Sequence, residues 1–488
     1  MKAQNKNILA LFLIICVYTL LTLISANNGY FWDNIQLVSI QAHRFYDFGF
    51  KLLFSTSVYA PESISATGYH PPLIGLITAG LWKIFSYKLW VSHVFTFILA
   101  IILIFNLWKL LKMFFEEKFL GWVLMIVLLE ASLLTQFAIV SPDFFLFTAF
   151  IISLRGILER KQWLTAIGVF FLCFVSMRGV FAGVILYLVH VVIALLHNDD
   201  TNSKIKIIFK KSLPFLPAFI LLIFYYSFYL YLHGWFFTHN PSYSEHYILP
   251  QNVAEIVKHF AEFVLRSVEN GRIIIWILGV YTLIKILNSK EKLMLDIKFL
   301  FWLFVSLNSL YIVFIFISRM PFSARYFIPQ FFLLTLLTLW GVIRFVNNKK
   351  HIQWVFILIL LFELTGHCWI YPEKIAKSWE NTLAHLPYYQ LRNECFNYID
   401  QKGLNYADIS AGFCLYGNRK FVEMKNEDKI VGNEPIRKYF IYSNISNLND
   451  SLLNDLNINS HWKPLKKFQS GFVKIILYQN LKISGENK

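Results

Sequence analysis

The sequence predicts a polytopic α-helical membrane protein with about eleven spans and a small α/β domain at its C-terminus. Three observations lead to this fold class: 57% of the 488 residues are hydrophobic, only 15% are charged, and the apolar residues occur in long runs. A soluble globular protein carries roughly 25% charged residues, and its apolar residues follow helical stripes or strand alternation. Long apolar runs are instead typical of helices that cross a bilayer core of roughly 30 Å.

Eleven apolar runs of spanning length follow one another along the chain. The first, residues 8–25, has no small-residue cleavage site, so we expect an uncleaved anchor. The others can each hold a helix of about 20 residues or slightly fewer, and they cover residues 91–112, 119–139, 143–158, 163–177, 179–197, 213–232, 273–288, 299–318, 326–346 and 351–371. A shorter apolar run, residues 71–87, is expected to lie at the membrane surface or to re-enter it without crossing.

The distribution of basic residues predicts which loops face the cytoplasm. The formal charge of +16 is spread between the apolar runs, so we expect anionic lipid head groups, and not nucleic acid, as the counter-charge. If the N-terminus is cytoplasmic and residues 71–87 do not cross, all the basic clusters fall on the cytoplasmic side. This topology places the loop 26–90 and the tail 372–488 outside the membrane on the other face.

The composition changes after Pro372, which predicts two domains: a transmembrane domain over residues 1–371 and an extracytoplasmic α/β domain over residues 372–488. In the tail, residues 373–400 are predicted to form a helix, and three strand-like runs follow at 407–416, 437–444 and 471–480. Cys395 and Cys414 either pair with each other or remain free, and two free thiols are the simpler interpretation. Residues 253–264 have helical apolar spacing and are predicted to form an amphipathic helix on the membrane surface.

An acidic residue, Asp33, comes directly after the first span. Most such acids are solvated loop residues, but Tyr30 to Trp32 would shield this one from water. A carboxylate that is partly out of water is a stronger base and can take a proton from an incoming hydroxyl. In the same loop, His70 precedes two prolines, which fix the start of a helix. His70 is interpreted either as a residue that caps or packs this turn or as a neutral donor or metal ligand near Asp33.

Arginines at the outer ends of two spans indicate an anionic ligand. Arg178 interrupts a long apolar run, and Arg325 with Tyr326 begins another span; no excess of acids stands beside either arginine in the sequence. Guanidinium groups match phosphate oxygens two at a time, whereas the alternative is a snorkelling arginine at a helix end. Asp143 fits equally well as an acid in the first turn of a helix or as a residue of the same cavity.

Together these features resemble the membrane-embedded glycosyltransferases of the dolichyl-phosphate-mannose protein mannosyltransferase type. This GT-C group includes the bacterial lipid A aminoarabinose transferase. The resemblance covers residues 1 to about 371, and its motifs are Asp33, His70-Pro71-Pro72-Leu73, Ser141-Pro142-Asp143, Arg178-Gly179 and Arg325-Tyr326 with Pro329. The mannosyltransferases carry an Asp-Glu pair at the catalytic position, whereas here Asp33 is followed by Asn34.

The resemblance implies an inverting glycosyltransferase in a bacterial inner membrane, with its site on the extracytoplasmic face. The expected donor is a sugar on a polyprenyl phosphate, and the expected acceptor is a hydroxyl of a glycolipid, polysaccharide or protein. Asp33 would be the general base, with Arg178, Arg325 and Tyr326 on the donor phosphate and His70 and Asp143 in support. No cofactor is required, although Asp33, His70 and other acids leave room for a divalent metal.

Two other classes of protein compete with this interpretation. A multi-span transporter or flippase of a lipid-linked anionic substrate would also have intramembrane charges and a basic inner face, but the sequence has no internal repeat of the kind many transporters carry. A membrane scaffold whose tail binds a partner would tolerate the loss of both Asp33 and Arg178.

Overall fold

The computed structural model describes residues 2–49, 70–197, 204–233, 248–288, 293–319, 321–372, 377–425, 429–433, 437–458 and 461–484. Part of the predicted outer loop, residues 50–69, therefore lies outside the described residues. Helices dominate up to residue 366, and strands occur only after residue 408 within the described part of the chain.

The N-terminal part is a bundle of apolar helices, and each predicted apolar run coincides with one of them or with a bent pair. In chain order the helices are α1 (Lys2–Ser25), α2 (Gln41–Phe48), α3 (Leu73–Ile84), α4 (Leu89–Leu111), α5 (Glu117–Leu128), α6 (Ala131–Ala138), α7 (Pro142–Leu158), α8 (Gln162–Val175), α9 (Met177–Leu196), α10 (Lys204–Ser212), α11 (Leu216–His233), α12 (Val253–Val268), α13 (Ile273–Asn288), α14 (Leu295–Ile317), α15 (Ile328–Phe345) and α16 (Lys349–Gly366). A π-helical segment, Ile35–Ile40, precedes α2.

Several of these helices can cross a membrane. By length and composition, five helices of the described chain qualify: α1, α4, α9, α14 and α15 with the short turn before it. Three bent pairs raise the number to as many as eight: α5 with α6 at 60°, α10 with α11 at 65°, and α12 with α13 at 92°. The prediction of a multi-span helical protein is confirmed, whereas the count of about eleven spans is not.

Helix α3 shows how the predicted surface segment 71–87 folds. Its 12 residues extend about 18 Å at 1.5 Å per residue, which is short of a bilayer core of roughly 30 Å. Trp82 of α3 is buried, and a side chain at Gly75 would collide with Gln41 of α2. The helix is therefore short for a span and packs closely on α2, and its position at the membrane surface stays a prediction.

The sharp bend between α12 and α13 depends on a glycine. Gly271 has φ +82, and a Cβ there would strike the carbonyl oxygen of Phe362 in α16. We expect Gly271→Ala to destabilise the protein by at least about 1–3 kcal/mol, the usual cost of a strained backbone position, and to lower its midpoint of thermal unfolding in detergent. Gly80→Ala is the matched control, because Gly80 has open space around it and alanine is favoured in a helix. Equal unfolding temperatures for the two variants would contradict this role of Gly271.

The C-terminal part contains two small sheets, built from β1 (Ile409–Ala411), β2 (Gly417–Asn418), β3 (Ile430–Val431), β4 (Tyr439–Ser443), β5 (Trp462–Ser470) and β6 (Val473–Asn480). The larger sheet has the order β1-β4-β6-β5, with β1 parallel to β4 and the other pairs antiparallel. Strands β2 and β3 form a separate antiparallel pair. In the part of this region that the structure describes, four helices accompany the strands: α17 (Pro387–Gln401), α18 (Arg419–Glu423), α19 (Asp450–Ile458) and α20 (Leu481–Ser484).

Two sequence predictions for this region were incomplete. The three predicted strands are present as β1, β4 and β6, but β5 was missed because its exposed lysines and Pro464 do not look like a buried strand. Both features are common on sheet edges, where they discourage pairing with another chain. The predicted helix 373–400 is wrong over residues 377–386, which form two 3₁₀ turns. The α-helix begins only at Pro387, whose ring suits a helix start.

The hydrophobic core of the C-terminal part includes residues from the N-terminal part. Phe31 and Trp32, which follow α1, are buried in the same cluster as Trp379, Tyr388 and Ile441. The predicted division at residue 371 stays a prediction, but these two parts pack together through a shared core. The turn that carries Asp33 therefore lies against the C-terminal part. Cys395 and Cys414 are both buried and free, as the simpler interpretation held.

Candidate active site

Four of the predicted site residues lie at the starts of helices or just after one. Asp33 follows α1 in a turn, and Asp143 is in the first turn of α7, where the Ser141 hydroxyl accepts a hydrogen bond from its backbone N–H at 3.1 Å. Arg178 is the second residue of α9. Arg325 lies in a 3₁₀ turn, Ala324–Phe327, directly before α15. The fold brings these separate starts together at one end of the bundle.

Arg325 is the centre of the cluster. Its Nη2 donates to Oδ2 of Asp33, and its Nε lies 3.6 Å from Oδ2 of Asp143 and 3.8 Å from Oε1 of Glu380. The guanidinium is buried, whereas the Asp33 side chain is 31% exposed. One buried cation thus joins three carboxylates, and only Asp33 among these three reaches solvent to this extent.

Arg178 lies beside the same carboxylates. Its Nη1 is 2.7 Å from Oδ1 of Asp143, and its guanidinium lies 4.0 Å from the centre of the Tyr326 ring. The Arg325 guanidinium is 5.2 Å from the same ring. The Tyr326 ring is thus close to both guanidinium groups, and an aromatic face attracts positive charge. The backbone carbonyl of Tyr326 accepts a hydrogen bond from Tyr311 at 3.0 Å.

Glu380 is a member of the cluster that the sequence did not indicate. Ser323 donates to its Oε1 at 2.7 Å, and Gln136 donates to its backbone carbonyl at 2.5 Å. Burial raises the pKa of Glu380, and Arg325 and the Ser323 hydroxyl only partly oppose that rise. The residue stands in a segment that was predicted to be helical, after the last apolar run, where no local pattern connects it with Arg325.

The charges of the cluster correct one expectation from the sequence. No excess of acids stands beside the arginines along the chain, but the fold places Asp33, Asp143 and Glu380 around Arg325 and Arg178. Nε of Arg325 and Oδ2 of Asp143 are buried and have no hydrogen-bond partner among the described residues. Buried polar groups of this kind are rare unless a ligand or water completes them. The cluster thus has one hydrogen-bond donor and one acceptor that could bind a ligand or water.

His70 lies at the start of α9, next to Arg178. Its Nδ1 accepts a hydrogen bond from the backbone N–H of Met177 at 3.2 Å, so it caps the start of α9. Burial and, to a smaller extent, the charge of Arg178 lower the pKa of His70 to about 3. A neutral ring is consistent with this acceptor role. The capping interpretation is thus supported, and a direct role in chemistry stays a prediction.

The remaining charged candidates lie elsewhere or serve the fold. Arg319 pairs with Glu255 at 3.0 Å. Glu130 caps α6 and pairs with Arg272, so its contacts support the fold. Among the described residues, no group of three or more His, Cys, Asp or Glu side chains is arranged to hold a metal ion.

The comparisons with solved structures establish the fold: the chain has the fold of ArnT, a GT-C enzyme. Among solved structures, the chain is similar to ArnT from Cupriavidus metallidurans, a lipid A aminoarabinose transferase. The structure of ArnT bound to undecaprenyl phosphate has a TM-score of 0.51 and 11% sequence identity, with 96% of this chain and 97% of that chain covered. The apo structure also has a TM-score of 0.51 and 11% identity, with 97% and 98% covered. At this identity, the similarity establishes the fold.

Comparisons of sequence alone add nothing to this result. No protein-family model and no curated protein matches the chain. The fold class implied by the resemblance is confirmed, and the roles of individual residues depend on the geometry described above.

Proposed function

We propose that the protein is an inverting glycosyltransferase that moves a sugar from a polyprenyl-phosphate donor to a hydroxyl group. One observation carries the proposal: a half-exposed carboxylate, Asp33, is in contact with the buried cation Arg325 in a chain that has the ArnT fold. The pairing brings a base and a phosphate-binding group within reach of the same substrate. ArnT has been solved with undecaprenyl phosphate. In this chain, Arg178 and Arg325 could bind the phosphate of a ligand of the same kind.

In the proposed reaction, Asp33 accepts the proton of the acceptor hydroxyl while the oxygen of that hydroxyl attacks the anomeric carbon of the donor sugar. The bond between that carbon and the phosphate oxygen breaks on the opposite side, so the configuration inverts and polyprenyl phosphate leaves with the bonding electrons. Arg325 and Arg178 stabilise the negative charge that develops on the departing phosphate. Asp143 holds the two guanidinium groups in place, since it contacts both of them.

An apolar groove in the wall of the helical bundle supports a lipid-linked donor. The groove has a volume of about 510 Å³ and lies between α8 and α11, where it is lined by Phe170, Phe174, Leu221, Phe224, Tyr225 and Phe228. Tyr226 donates to Sδ of Met177 at 3.3 Å, which connects the groove wall with the residue before Arg178. Ligand pockets commonly measure about 300–1,000 Å³. A prenyl chain whose phosphate sits at Arg178 could therefore enter this groove.

The distribution of charge supports an extracytoplasmic site. Helix α7 begins at the cluster and ends beside Arg160 and Lys161, and α9 begins at the cluster and ends before the basic segment 204–211. The cluster is thus at the opposite end of these helices from the basic loops. Because basic loops stay in the cytoplasm, we assign the site to the other face of a bacterial inner membrane.

The experiment that tests the proposal measures release of polyprenyl phosphate. Purified protein in lipid vesicles is supplied with sugar-loaded undecaprenyl phosphate and with envelope glycolipid, polysaccharide or protein fractions as acceptors. Acceptor-dependent release of undecaprenyl phosphate, with inverted configuration in the product, is expected. A protein that moves the donor across the bilayer without cleaving it would instead be a flippase, and the proposal would fail.

The proposed role of the groove predicts that its aromatic wall contributes to donor binding. Phe174→Ala removes aromatic surface from the groove wall, so we expect the KM for a long-chain donor to rise about tenfold, as a loss of about 1.4 kcal/mol of uniform binding would cause. The value of kcat should change little, because the phosphate end is untouched. Phe171→Ala is the matched control, since Phe171 is in α8 but does not line the groove. Equal KM values for the two variants would exclude this groove as the donor site.

A further inference from the structure

The residue before Asp33 has a strained backbone. Trp32 has φ 55, a left-handed conformation that bulky residues rarely adopt. Such positions cost on the order of 1–3 kcal/mol and persist only where surrounding contacts enforce them. The strain lies directly next to the proposed base, so the contacts that maintain Trp32 also determine where the Asp33 carboxylate points.

The side chains around this turn are held by the C-terminal part of the chain. The Phe31 ring stacks on His385 with a centroid distance of 4.7 Å, and the Trp32 ring meets Phe413 edge-on at 5.2 Å. Both rings are buried. Aromatic pairs of this geometry contribute about 0.5–1.5 kcal/mol beyond their buried area, which is comparable with the strain at Trp32.

A second set of contacts to the chain around this turn comes from residues 421–422. The backbone N–H of Tyr30 donates to the carbonyl of Val422 at 2.8 Å. On the other side of Asp33, the Ser39 hydroxyl donates to the carbonyl of Phe421. The approach is so close that a Cβ at Gly29 would collide with the Val422 carbonyl and Arg392. Residues 421–422 therefore hold the chain on both sides of Asp33.

Glu423 fixes residues 421–422 in position. It is the last residue of α18, and its carboxylate accepts a hydrogen bond from Arg419 at 2.8 Å and lies 3.3 Å from Nε of Arg392 in α17. All three side chains are buried. Burial opposes ionisation of Glu423, but Arg392 and Arg419 outweigh it and lower the pKa of the carboxyl. The charged carboxylate thus ties α18 to α17 directly beside the contacts to Tyr30 and Ser39.

We propose that Glu423 is a positioning residue for Asp33: it anchors the 421–422 backbone that holds the strained Trp32–Asp33 turn. The inference depends on the proposed function, in which Asp33 is the base. With this role of Glu423, the C-terminal part of the chain helps to position the proposed base, in addition to any contact with the acceptor.

The test uses Glu423→Gln in the full-length protein in lipid vesicles. We expect kcat to fall about 10- to 100-fold, in the range that a misplaced catalytic group causes, with little change in the KM for the donor. Hydrogen exchange at the Tyr30 backbone N–H should become faster, and Glu423→Asp should restore part of kcat. Asp455→Ala is the matched control, because it removes the hydrogen bond of 2.6 Å that Asp455 accepts from Trp462 within the C-terminal part. An unchanged kcat in folded Glu423→Gln would overturn the proposal.

A double-mutant cycle separates positioning from general support of the fold. If Glu423 acts through Asp33, Glu423→Gln should have almost no further effect on the residual turnover of Asp33→Asn. An equal loss in both backgrounds would overturn the proposal. Should Glu423→Gln not fold, Ser39→Ala tests the contact between the turn and Phe421 without disturbing the buried ion pairs. This variant must also lower kcat in the wild-type background and have almost no further effect in Asp33→Asn. If Asp33→Asn transfers sugar normally, the proposed function fails, whereas faster exchange at Tyr30 still reports on the anchor itself.

Discussion

Asp33→Asn should reduce sugar transfer by about 10²- to 10⁴-fold, the usual contribution of a general base. The asparagine has nearly the same shape and can still accept a hydrogen bond from Arg325, but it cannot take the proton of the acceptor hydroxyl. Asp143 and Glu380 remain beside Arg325 to balance its charge, so the variant should insert and fold. The measurement is acceptor-dependent release of polyprenyl phosphate by purified protein in vesicles.

Asp47→Asn provides the matched control for this result. Asp47 belongs to the same loop but pairs with Lys420 on the surface, at 3.0 Å, and exposed pairs contribute only about 0–1 kcal/mol. Its loss should leave turnover unchanged. Normal turnover in Asp33→Asn would refute the assignment of the base, and a scaffold protein would show that result. A flippase would bind the donor in both variants but release no polyprenyl phosphate from either.

The sequence indicated Asp33, Asp143, Arg178 and Arg325 because each stands at the boundary of an apolar run. An ionisable residue at that position is costly unless it faces a cavity or a partner, so its presence is informative without knowledge of the fold. The structure brings these four side chains together. Their separation of up to 292 positions along the chain explains why the pairing of Arg325 with Asp33 could not be read from local pattern.

The features that were missed depend on tertiary contacts. Glu380 resembles any polar residue of the tail until the segment 377–386 is folded back onto Ser323 and Arg325. The same contacts replace the helix that local spacing predicted there, because buried side-chain bonds outweigh a weak helical preference. The left-handed backbone of Trp32 is equally invisible in the sequence, since it depends on tertiary packing that includes the C-terminal part.

Arg325→Gln should cost about 3–5 kcal/mol of stability, as is usual when one partner of a buried charge cluster is removed. The variant leaves Asp143 and Glu380 buried, with Arg178 as the remaining cation beside Asp143. Unfolding in detergent, by heat or denaturant, measures the effect. Arg319→Gln is the matched control: its ion pair with Glu255 is partly exposed and should contribute no more than about 1 kcal/mol.

The loss of stability in Arg325→Gln should depend on pH with a defined sign. Arg325 opposes the rise in the pKa of Glu380 that burial causes, so its removal raises that pKa further in the folded state. A group whose pKa is raised on folding supports the folded state below its ordinary pKa, near 4.3 for a glutamate, and that support is lost as the pH rises through the folded value. The gap in stability between wild type and variant should therefore open only above the folded pKa of Glu380 in the wild type, which already exceeds its ordinary value, and widen as the pH rises towards the higher folded pKa of the variant. Adding Glu380→Gln to the variant should recover part of the loss and flatten this dependence. If the loss of stability in Arg325→Gln is constant with pH, or equal to that in Arg319→Gln, Arg325 does not stabilise the buried carboxylates.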